Sequence, residues 1–222
     1  MQTFDTPAPI SALVEIVAGR IEFVATDRAD TAVEVLPADG AKSDDVKVAE
    51  QIKVDYGDGA LRIRWQSTGL LGGGSGSGSV KVRVHLPTGS RVDAQAASTE
   101  FRTVGRLGDV KFEGVQAPVT IDEAASVHIT VVDGDIEVGR LGGPAEISTL
   151  QGNIRIGEAV RGKVVLHALS GDISVSAAAG VMATLDAGGG GRIKNSLRND
   201  GTAAELDIHA TTTEGTITAS SR

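Results

Sequence analysis

Three short stretches of this 222-residue chain share one pattern: GDIEV at residues 134–138, GNIRI at 152–156 and GDISV at 171–175. In each stretch a glycine and one further residue precede an aliphatic, a polar and a second aliphatic residue. The three glycines are 18 and 19 residues apart. Looser copies of the pattern begin at Gly19, Gly59, Gly108, Gly191 and Gly215. Repetition at a nearly fixed period indicates a repeat architecture.

A second strand is predicted before each of these glycines. Val127, Ile129 and Val131 alternate with His128 and Thr130, and alternation with a period of two is typical of a β-strand. The same places are taken by Ala145, Ile147 and Thr149 one repeat later, and then by Val164, Leu166 and Ala168. Each repeat is therefore predicted to be a strand, a glycine corner, a second strand and a variable loop.

Such a unit has one apolar face, which only the stacking of neighbouring repeats can bury. The sequence therefore predicts an all-β fold, a parallel β-helix built as a single-stranded β-solenoid, for which we expect the right-handed form. The glycines would form corners at positive φ. The alternative is an antiparallel β-sandwich, since Asp58-Gly59 and Asp133-Gly134 are dipeptides typical of hairpin turns. The fixed period favours the solenoid.

The composition agrees with a thin, layered core. Hydrophobic residues make up 41% of the chain but aromatic residues only 3%, and none lies beyond Phe112. The core must therefore be built mainly from Val, Ile, Leu and Ala. The six aromatic residues are Phe4, Phe23, Tyr56, Trp65, Phe101 and Phe112.

We predict one domain over residues 1–222. Residues 1–68 would supply N-terminal strands and a cap, 69–79 a flexible Gly/Ser loop, and 80–222 the regular repeats. A short helix is expected over 43–51, with Ser43 as N-cap and acidic residues in its first turn. Within the loop, Leu70-Leu71 would either contact a partner or fold back on the cap.

The charge balance excludes several classes of function. The chain has 21 Lys and Arg residues against 29 Asp and Glu, a net charge of −8, and no basic run or aromatic platform for nucleic acid. It contains no Cys, which excludes disulfides, thiolate metal sites and a Cys nucleophile. No stretch is apolar enough for membrane insertion, and the first residues lack the features of a signal peptide. We therefore expect a cytoplasmic location.

Several segments in order resemble a known family. They are the repeated Gly-Asp-Ile-x-Val motif, the segment VHLPTGS at 84–90, and TTEGTI at 212–217. Together they look like the bacterial putative-adhesin β-strand-repeat family (DUF4097), related to the head domain of putative autotransporter adhesins. The resemblance covers nearly the whole chain. It implies a β-helical fold and no established activity.

Acidic corners are the first candidate for chemistry. Asp135, Asn153 and Asp172 occupy equivalent places, and stacked carboxylates could bind Ca²⁺. Asp and Asn also suit turns, because their side chains bond to nearby backbone. The next copy of the pattern has Arg192 at this place, which would repel a cation, so we favour the turn role and predict no metal site.

Catalytic residues are not predicted either. The acids Asp122, Glu123, Asp133, Asp135 and Glu137 could in principle serve glycoside hydrolysis, but no aromatic sugar platform accompanies them. Gly188–Gly191 lacks the Lys-Ser/Thr of a phosphate-binding loop, and a strand resumes at Ile193. The four histidines are interpreted as exposed strand residues that do not converge: His85, His128, His167 and His209.

We therefore predict a non-enzymatic interaction or scaffold domain with no cofactor, binding protein partners, with self-association possible. A carbohydrate-active β-helix enzyme and a self-assembling structural protein are the alternatives. Acids meeting in one groove would favour the enzyme, an uncovered terminal rung would favour the polymer, and a capped rod without a groove would favour the scaffold.

Overall fold

The computed structural model describes residues 1–65, 78–199 and 203–222. These residues form one helix and 18 strands, in the order β1 Gln2–Asp5, β2 Ser11–Thr26, β3 Asp30–Pro37, α1 Ser43–Gln51, β4 Ile52–Gly57, β5 Ala60–Trp65, β6 Val80–Pro87, β7 Arg91–Val104, β8 Arg106–Gln116, β9 Val119–Asp133, β10 Ile136–Leu141, β11 Ala145–Gln151, β12 Ile154–Ala159, β13 Gly162–Ser170, β14 Ile173–Ala177, β15 Ala183–Gly189, β16 Arg192–Ser196, β17 Leu206–Glu214 and β18 Thr216–Ser221.

The strands stack into two ladders, and the longest strands run from one ladder into the other. Ladder A has the order β1, β3, β6, β2, β7, β9, β10, β12, β14, β18, β16. Ladder B has the order β4, β5, β2, β7, β8, β9, β11, β13, β17, β15. All pairings are parallel except β1–β3, β3–β6 and β4–β5. The predicted all-β solenoid is confirmed.

The two candidate hairpin dipeptides have different roles. Asp58-Gly59 joins the antiparallel strands β4 and β5, so it is a hairpin turn as its sequence indicates. Asp133-Gly134 instead joins β9 to β10, and these strands pair in parallel through an earlier part of β9. The second dipeptide is therefore a solenoid corner, and the sandwich alternative is wrong.

The register follows the repeat spacing. Ile136 lies opposite Ile154, and Glu137 lies opposite Arg155, each pair 18 residues apart. Ile154 lies in turn opposite Ile173. The aliphatic residues are buried inside, whereas Glu137 and Arg155 are on the outer surface. The aliphatic–polar–aliphatic pattern of the repeat therefore forms an inner row of aliphatic residues and an outer row of polar ones.

The core lies between the two ladders. The rings of Phe101 in ladder A and Phe112 in ladder B have centroids 4.7 Å apart, and Phe23 lies 6.0 Å from Phe101. All three side chains are fully buried. Beyond this aromatic cluster the interior consists mainly of Val, Ile, Leu and Ala, as the composition predicts, with a few buried threonines such as Thr149 and Thr212.

The corner between the ladders is made by glycine and a polar neighbour. Gly171 has φ +145°, and a Cβ atom there would lie 2.0 Å from the backbone oxygen of Gly152 in the adjacent rung. Asp135 Oδ1 accepts a hydrogen bond of 2.7 Å from the backbone N–H of Asn153, and Asn153 Oδ1 accepts one of 2.9 Å from Asp172. The close approach of neighbouring rungs at this corner therefore requires glycine. The Asp or Asn that follows each glycine accepts a hydrogen bond from the next rung.

The order of the rungs departs from the order of the chain. β17 and β18 lie between the rung β13–β14 and the rung β15–β16. The expectation that Gly191 follows Gly171 is therefore wrong, because Gly215 occupies that place. β18 buries Ile217 and Ala219, whereas every residue of β16 is exposed. The more apolar pair of strands takes the interior position.

The first strands show a related displacement. β2 lies between β7 on one side and β5 and β6 on the other, although it precedes all three strands in the chain. The predicted N-terminal cap is made by the later segments β3, β4 and α1, together with β1. The described residues 1–65 therefore contribute both a cap and an internal rung.

The predicted helix is present, but its predicted N-cap is wrong. Lys42 is the N-cap residue and makes no side-chain capping bond, while Ser43 is already helical. Asp45 is buried and accepts backbone hydrogen bonds from Asp39, at 3.0 Å, and Ser79, at 2.8 Å. The first turn of α1 is thus held by hydrogen bonds to the neighbouring segments at Asp39 and Ser79. In the described ranges, no helix has the length and apolarity needed to cross a membrane.

The Gly/Ser segment lies largely outside the described residues, and Leu70-Leu71 lies wholly outside them. Gly78 and Ser79 are described: Gly78 is buried, and its Cβ position would lie 2.4 Å from the backbone oxygen of Asp44. These two residues therefore belong to the packed structure rather than to a dispensable loop.

Removing residues 72–77 while retaining Gly78 and Ser79 should change the free energy of unfolding by about 1 kcal/mol or less, because loop-closure entropy depends weakly on length. Denaturant melts of the full chain and the shortened chain measure this difference. A larger loss would contradict the assignment of 72–77 as a simple connection.

Candidate interaction surface

The corner acids are engaged with the fold itself. Besides the bonds of Asp135 and Asn153, Asp172 Oδ1 accepts a hydrogen bond of 2.7 Å from the backbone N–H of Thr216. The side chains therefore act as turn residues that tie one rung to the next. No group of three His, Cys, Asp or Glu residues suited to a metal is found in the described part of the chain.

The other acidic candidates are spread over different surfaces. Asp122 Oδ2 accepts a hydrogen bond of 2.9 Å from the backbone N–H of Gly105. Glu137 faces Arg155 at 4.0 Å, and Glu123 lies opposite Arg140 in ladder A, whereas Asp133 ends β9 in ladder B. Asp122, Glu123 and Glu137 therefore share the outer face of ladder A, where Asp122 is bonded to a backbone N–H and Glu137 faces a cation.

The histidines lie on the outer face, with one departure from expectation. His128 and His209 share one outward row of ladder B, with the positions of Glu146 and Val165 between them. Their registers therefore match rather than differ. His167 lies in a different outward row, opposite Ser148, and His85 lies on β6 in ladder A.

His209 belongs to a polar cluster that sequence reasoning missed. Its Nδ1 lies 3.2 Å from Asp186 Oδ2, and its Nε2 lies 3.0 Å from Asp207 Oδ2. Hydrogen bonds from Thr184 and His209 lower the pKa of Asp207 below its usual value. Cross-strand register, rather than closeness in sequence, brings Asp186 to this site.

A row of exposed aliphatic side chains follows the outer face of ladder B near the glycine corner. We call it the aliphatic row: Val115, Val132, Leu150 and Leu169, one residue on each of β8, β9, β11 and β13. Their exposed fractions are 51%, 43%, 51% and 53%. Adjacent strands bring them about 4.8 Å apart. Large exposed apolar patches with polar borders are often interaction sites in proteins.

The rows beside the aliphatic row contain both neutral and charged residues. On one side Thr130 and Ser148 hydrogen-bond to each other and lie between Glu113 and His167. On the corner side Gln151 and Ser170 lie between Asp133 and Glu214, so the aliphatic residues themselves form the uncharged centre. Depletion of charge at the centre of a patch is typical of protein interfaces.

A hollow of about 590 Å³ adjoins one end of the aliphatic row. Val17, Trp65, Ala97 and Val115 are among its lining residues. Trp65 Nε1 donates a hydrogen bond of 3.0 Å to Gln51 Oε1, which fixes the indole beside the hollow. Tryptophan next to an apolar hollow is a frequent energetic centre of protein contacts.

The sequence contained a signal for the aliphatic row. The alternation of each first strand ends in a buried residue followed by an aliphatic residue, as in Val131-Val132, Thr149-Leu150 and Ala168-Leu169. If the outer face only contacted solvent, the second residue of each pair would be expected to be polar. An aliphatic residue takes this place in successive repeats, and the repeat period aligns these side chains.

The terminal rung at the other end of the stack is formed by β15 and β16. Among the described strands, β15 pairs only with β17, and β16 pairs only with β18. One edge of this rung is therefore not covered by a further strand. Ile193 on β16 is 48% exposed, between the cations Arg192 and Lys194.

Comparison with solved structures finds the same fold. A putative adhesin from Bacteroides fragilis has a TM-score of 0.58 and 13% identity, over 98% of this chain and 95% of that one. A putative adhesin from Parabacteroides distasonis has a TM-score of 0.46 and 14% identity, with the same coverages. No family model and no curated protein matches the chain. The resemblance therefore extends to the fold, and membership of DUF4097 stays a prediction.

Proposed function

We propose that this chain is a non-enzymatic interaction domain that contacts protein surfaces through the aliphatic row, and that a second copy of the chain is one such partner. The observation that carries the proposal is the alignment of Val115, Val132, Leu150 and Leu169 on one exposed face. Covering these side chains removes apolar surface from water, which is the main driving force of protein association.

A second copy suits this surface for two reasons. Its own row has the same spacing of about 4.8 Å, so side chains of two antiparallel copies can alternate along the contact. Each copy has a net charge of −8, so association requires a contact region with few acids. The four aliphatic side chains and the neutral Thr130 and Ser148 provide the uncharged part of the contact, and the acids Glu113, Asp133 and Glu214 lie at its borders.

The test compares two double variants by sedimentation equilibrium. Leu150→Asp/Leu169→Asp should shift a concentration-dependent dimer to monomer, because the two carboxylates would be buried without partners. Leu36→Asp/Val104→Asp is the matched control, since these aliphatic residues are also exposed, at 46% and 37%, but lie in ladder A. A wild-type chain that stays monomeric up to about 1 mM, or equal effects of both variants, would contradict the proposal.

The absence of catalysis is a separate prediction. The acidic candidates are dispersed over the corner and both ladders, so no nucleophile, base and oxyanion donors converge among them. Incubation with a panel of polysaccharides and esters should give no turnover above a buffer blank. Turnover that disappears in Asp135→Asn or Glu137→Gln would establish an enzyme instead.

The exposed edge of β16 favours end-to-end assembly as a second candidate, but its side chains oppose it. Arg192 and Lys194 both lie on this edge strand, and charged side chains on edge strands discourage pairing with another chain. We therefore place the contact on the face of ladder B rather than on its end.

A further inference from the structure

A long groove crosses the outer face of ladder B at the opposite ends of the strands from the aliphatic row. It has a volume of about 760 Å³ and extends over β5, β2, β7, β8, β9, β11 and β13. At ordinary strand spacing this is a length of about 29 Å. On β11, Glu146 of the groove is four residues from Leu150 of the aliphatic row, which is about 13 Å along the strand.

The first row of outward residues in the groove combines small and charged side chains. Four of its positions are small, namely Ala60, Ser11, Ser126 and Pro144, the last directly before β11, and the other three are Arg91, Asp109 and Lys163. The floor is apolar, and it includes Leu13 and Val165, which point outward in a row that is otherwise mostly charged. The shape and floor suit an extended chain lying across the strands.

The charges of the groove differ from those of the whole chain. Its lining has four Lys and Arg residues and three carboxylates, whereas the chain as a whole is acidic. Arg91 pairs with Asp109 at 3.1 Å, and Lys111 pairs with Glu113 at 2.9 Å. Arg62 on β5 and Lys163 on β13, at the two ends, lie opposite Asp55 and Asp207 but form no ion pair within 4.0 Å with the described residues.

One wall of the groove also contains an unpaired acceptor. Asp93 Oδ1 is buried and has no hydrogen-bond partner among the described residues. A buried acceptor without a donor is unfavourable. Asp93 also lies beside Lys111, whose pKa is raised by the hydrogen bond to Glu113 and by the charge of Asp93, so a bound donor would reach Oδ1 by displacing a side chain that covers it. Asp93 lies between Leu13 and Lys111 in the same outward row, in the middle part of the groove.

We infer that this groove binds an extended acidic peptide segment of a partner protein. Apolar side chains of the segment would pack on the floor, a backbone N–H would donate to Asp93, and carboxylates near both ends would pair with Arg62 and Lys163. A length of about 29 Å corresponds to about nine extended residues. The aliphatic lining does not favour a glycan, and the three carboxylates of the walls oppose a nucleic acid.

Fluorescence anisotropy with labelled peptides of about nine residues tests the inference on dilute, monomeric protein. One peptide has glutamate at both ends and alternating leucine and threonine between them, and the other differs only in having lysine at both ends. The glutamate peptide should bind at least about tenfold more tightly. Equal affinities, or no saturable binding up to about 1 mM, would overturn the inference. Tighter binding of a single-stranded DNA or an acidic oligosaccharide of similar length would overturn the choice of a peptide.

Two variants locate the binding in the groove. Arg62→Glu/Lys163→Glu should weaken the glutamate peptide about tenfold or more, whereas the matched reversal Arg102→Glu/Lys194→Glu in ladder A should not. Asp93→Ala should weaken binding about threefold or more without lowering the melting temperature, because it removes an unpaired buried acceptor. Equal effects of the two charge reversals would overturn the site.

The aliphatic-row variant separates this inference from the proposed function. Leu150→Asp/Leu169→Asp should bind the glutamate peptide as the wild type does, since the mutated side chains lie outside the groove. Loss of self-association with intact peptide binding would support both surfaces. Loss of peptide binding in this variant would place the peptide on the aliphatic row and overturn the groove assignment.

Discussion

Gly171→Ala should destabilise the fold by at least about 3 kcal/mol. The residue has φ +145°, a conformation that side chains with a Cβ atom rarely adopt, and the new methyl group would lie 2.0 Å from the backbone oxygen of Gly152. Relief would require the two rungs to separate at the corner, which would also lengthen the hydrogen bond between Asn153 and Asp172.

Gly188→Ala is the matched control for this change. Gly188 lies in β15, and no heavy atom lies within 4 Å of the Cβ position there. Denaturant melts should show a large loss for Gly171→Ala and little change for Gly188→Ala. Similar stabilities of the two variants would contradict the close contact between corner glycines.

Ile154→Ala should cost about 2–5 kcal/mol of unfolding free energy, because it removes buried methyl groups and leaves a cavity. Ile154 is 1% exposed and lies between Ile136 and Ile173 in the inner row. Denaturant melts measure the loss directly.

The adjacent variant Arg155→Ala is its control and should change stability by about 0–1 kcal/mol. The side chains of Arg155 and Glu137 are 70% and 59% exposed and lie 4.0 Å apart, so solvent screens their attraction. If Arg155→Ala were the more damaging of the two, the inner and outer rows would be exchanged, as a register slip of one residue would do.

The repeat motif predicts the local structure well for the copies at Gly134, Gly152 and Gly171, because each of them encodes its own corner. The glycine, the polar corner residue and the alternating aliphatic residues each act within one rung or on the next. The pairing of Ile136 with Ile154 follows from the spacing alone, and the structure confirms it. A core of small aliphatic residues beyond Phe112 likewise follows from composition.

The order of the rungs could not be predicted from spacing, since each rung can stack on any other with the same shape. The decision rests on apolar content, which a motif search ignores: β18 buries Ile217 and Ala219, whereas β16 offers only the partly exposed Ile193. Sequence reasoning missed the aliphatic row for a similar reason. Leu150 and Leu169 are ordinary residues in sequence, and only the register aligns them.

The inserted position of β17 and β18 affects how the protein reaches its native state during synthesis. β15 and β16 leave the ribosome before the strands that they pair with, while β13 and β14 still present open edges. Placing β15 on β13 follows the chain order and is therefore the arrangement that competes with the native one. In the native order β15 and β16 pair only with strands that are synthesised after them, so they can join the stack only once β17 and β18 are in place. Non-local pairing of this kind slows folding, because the entropy of the intervening chain is lost before the stabilising contacts form.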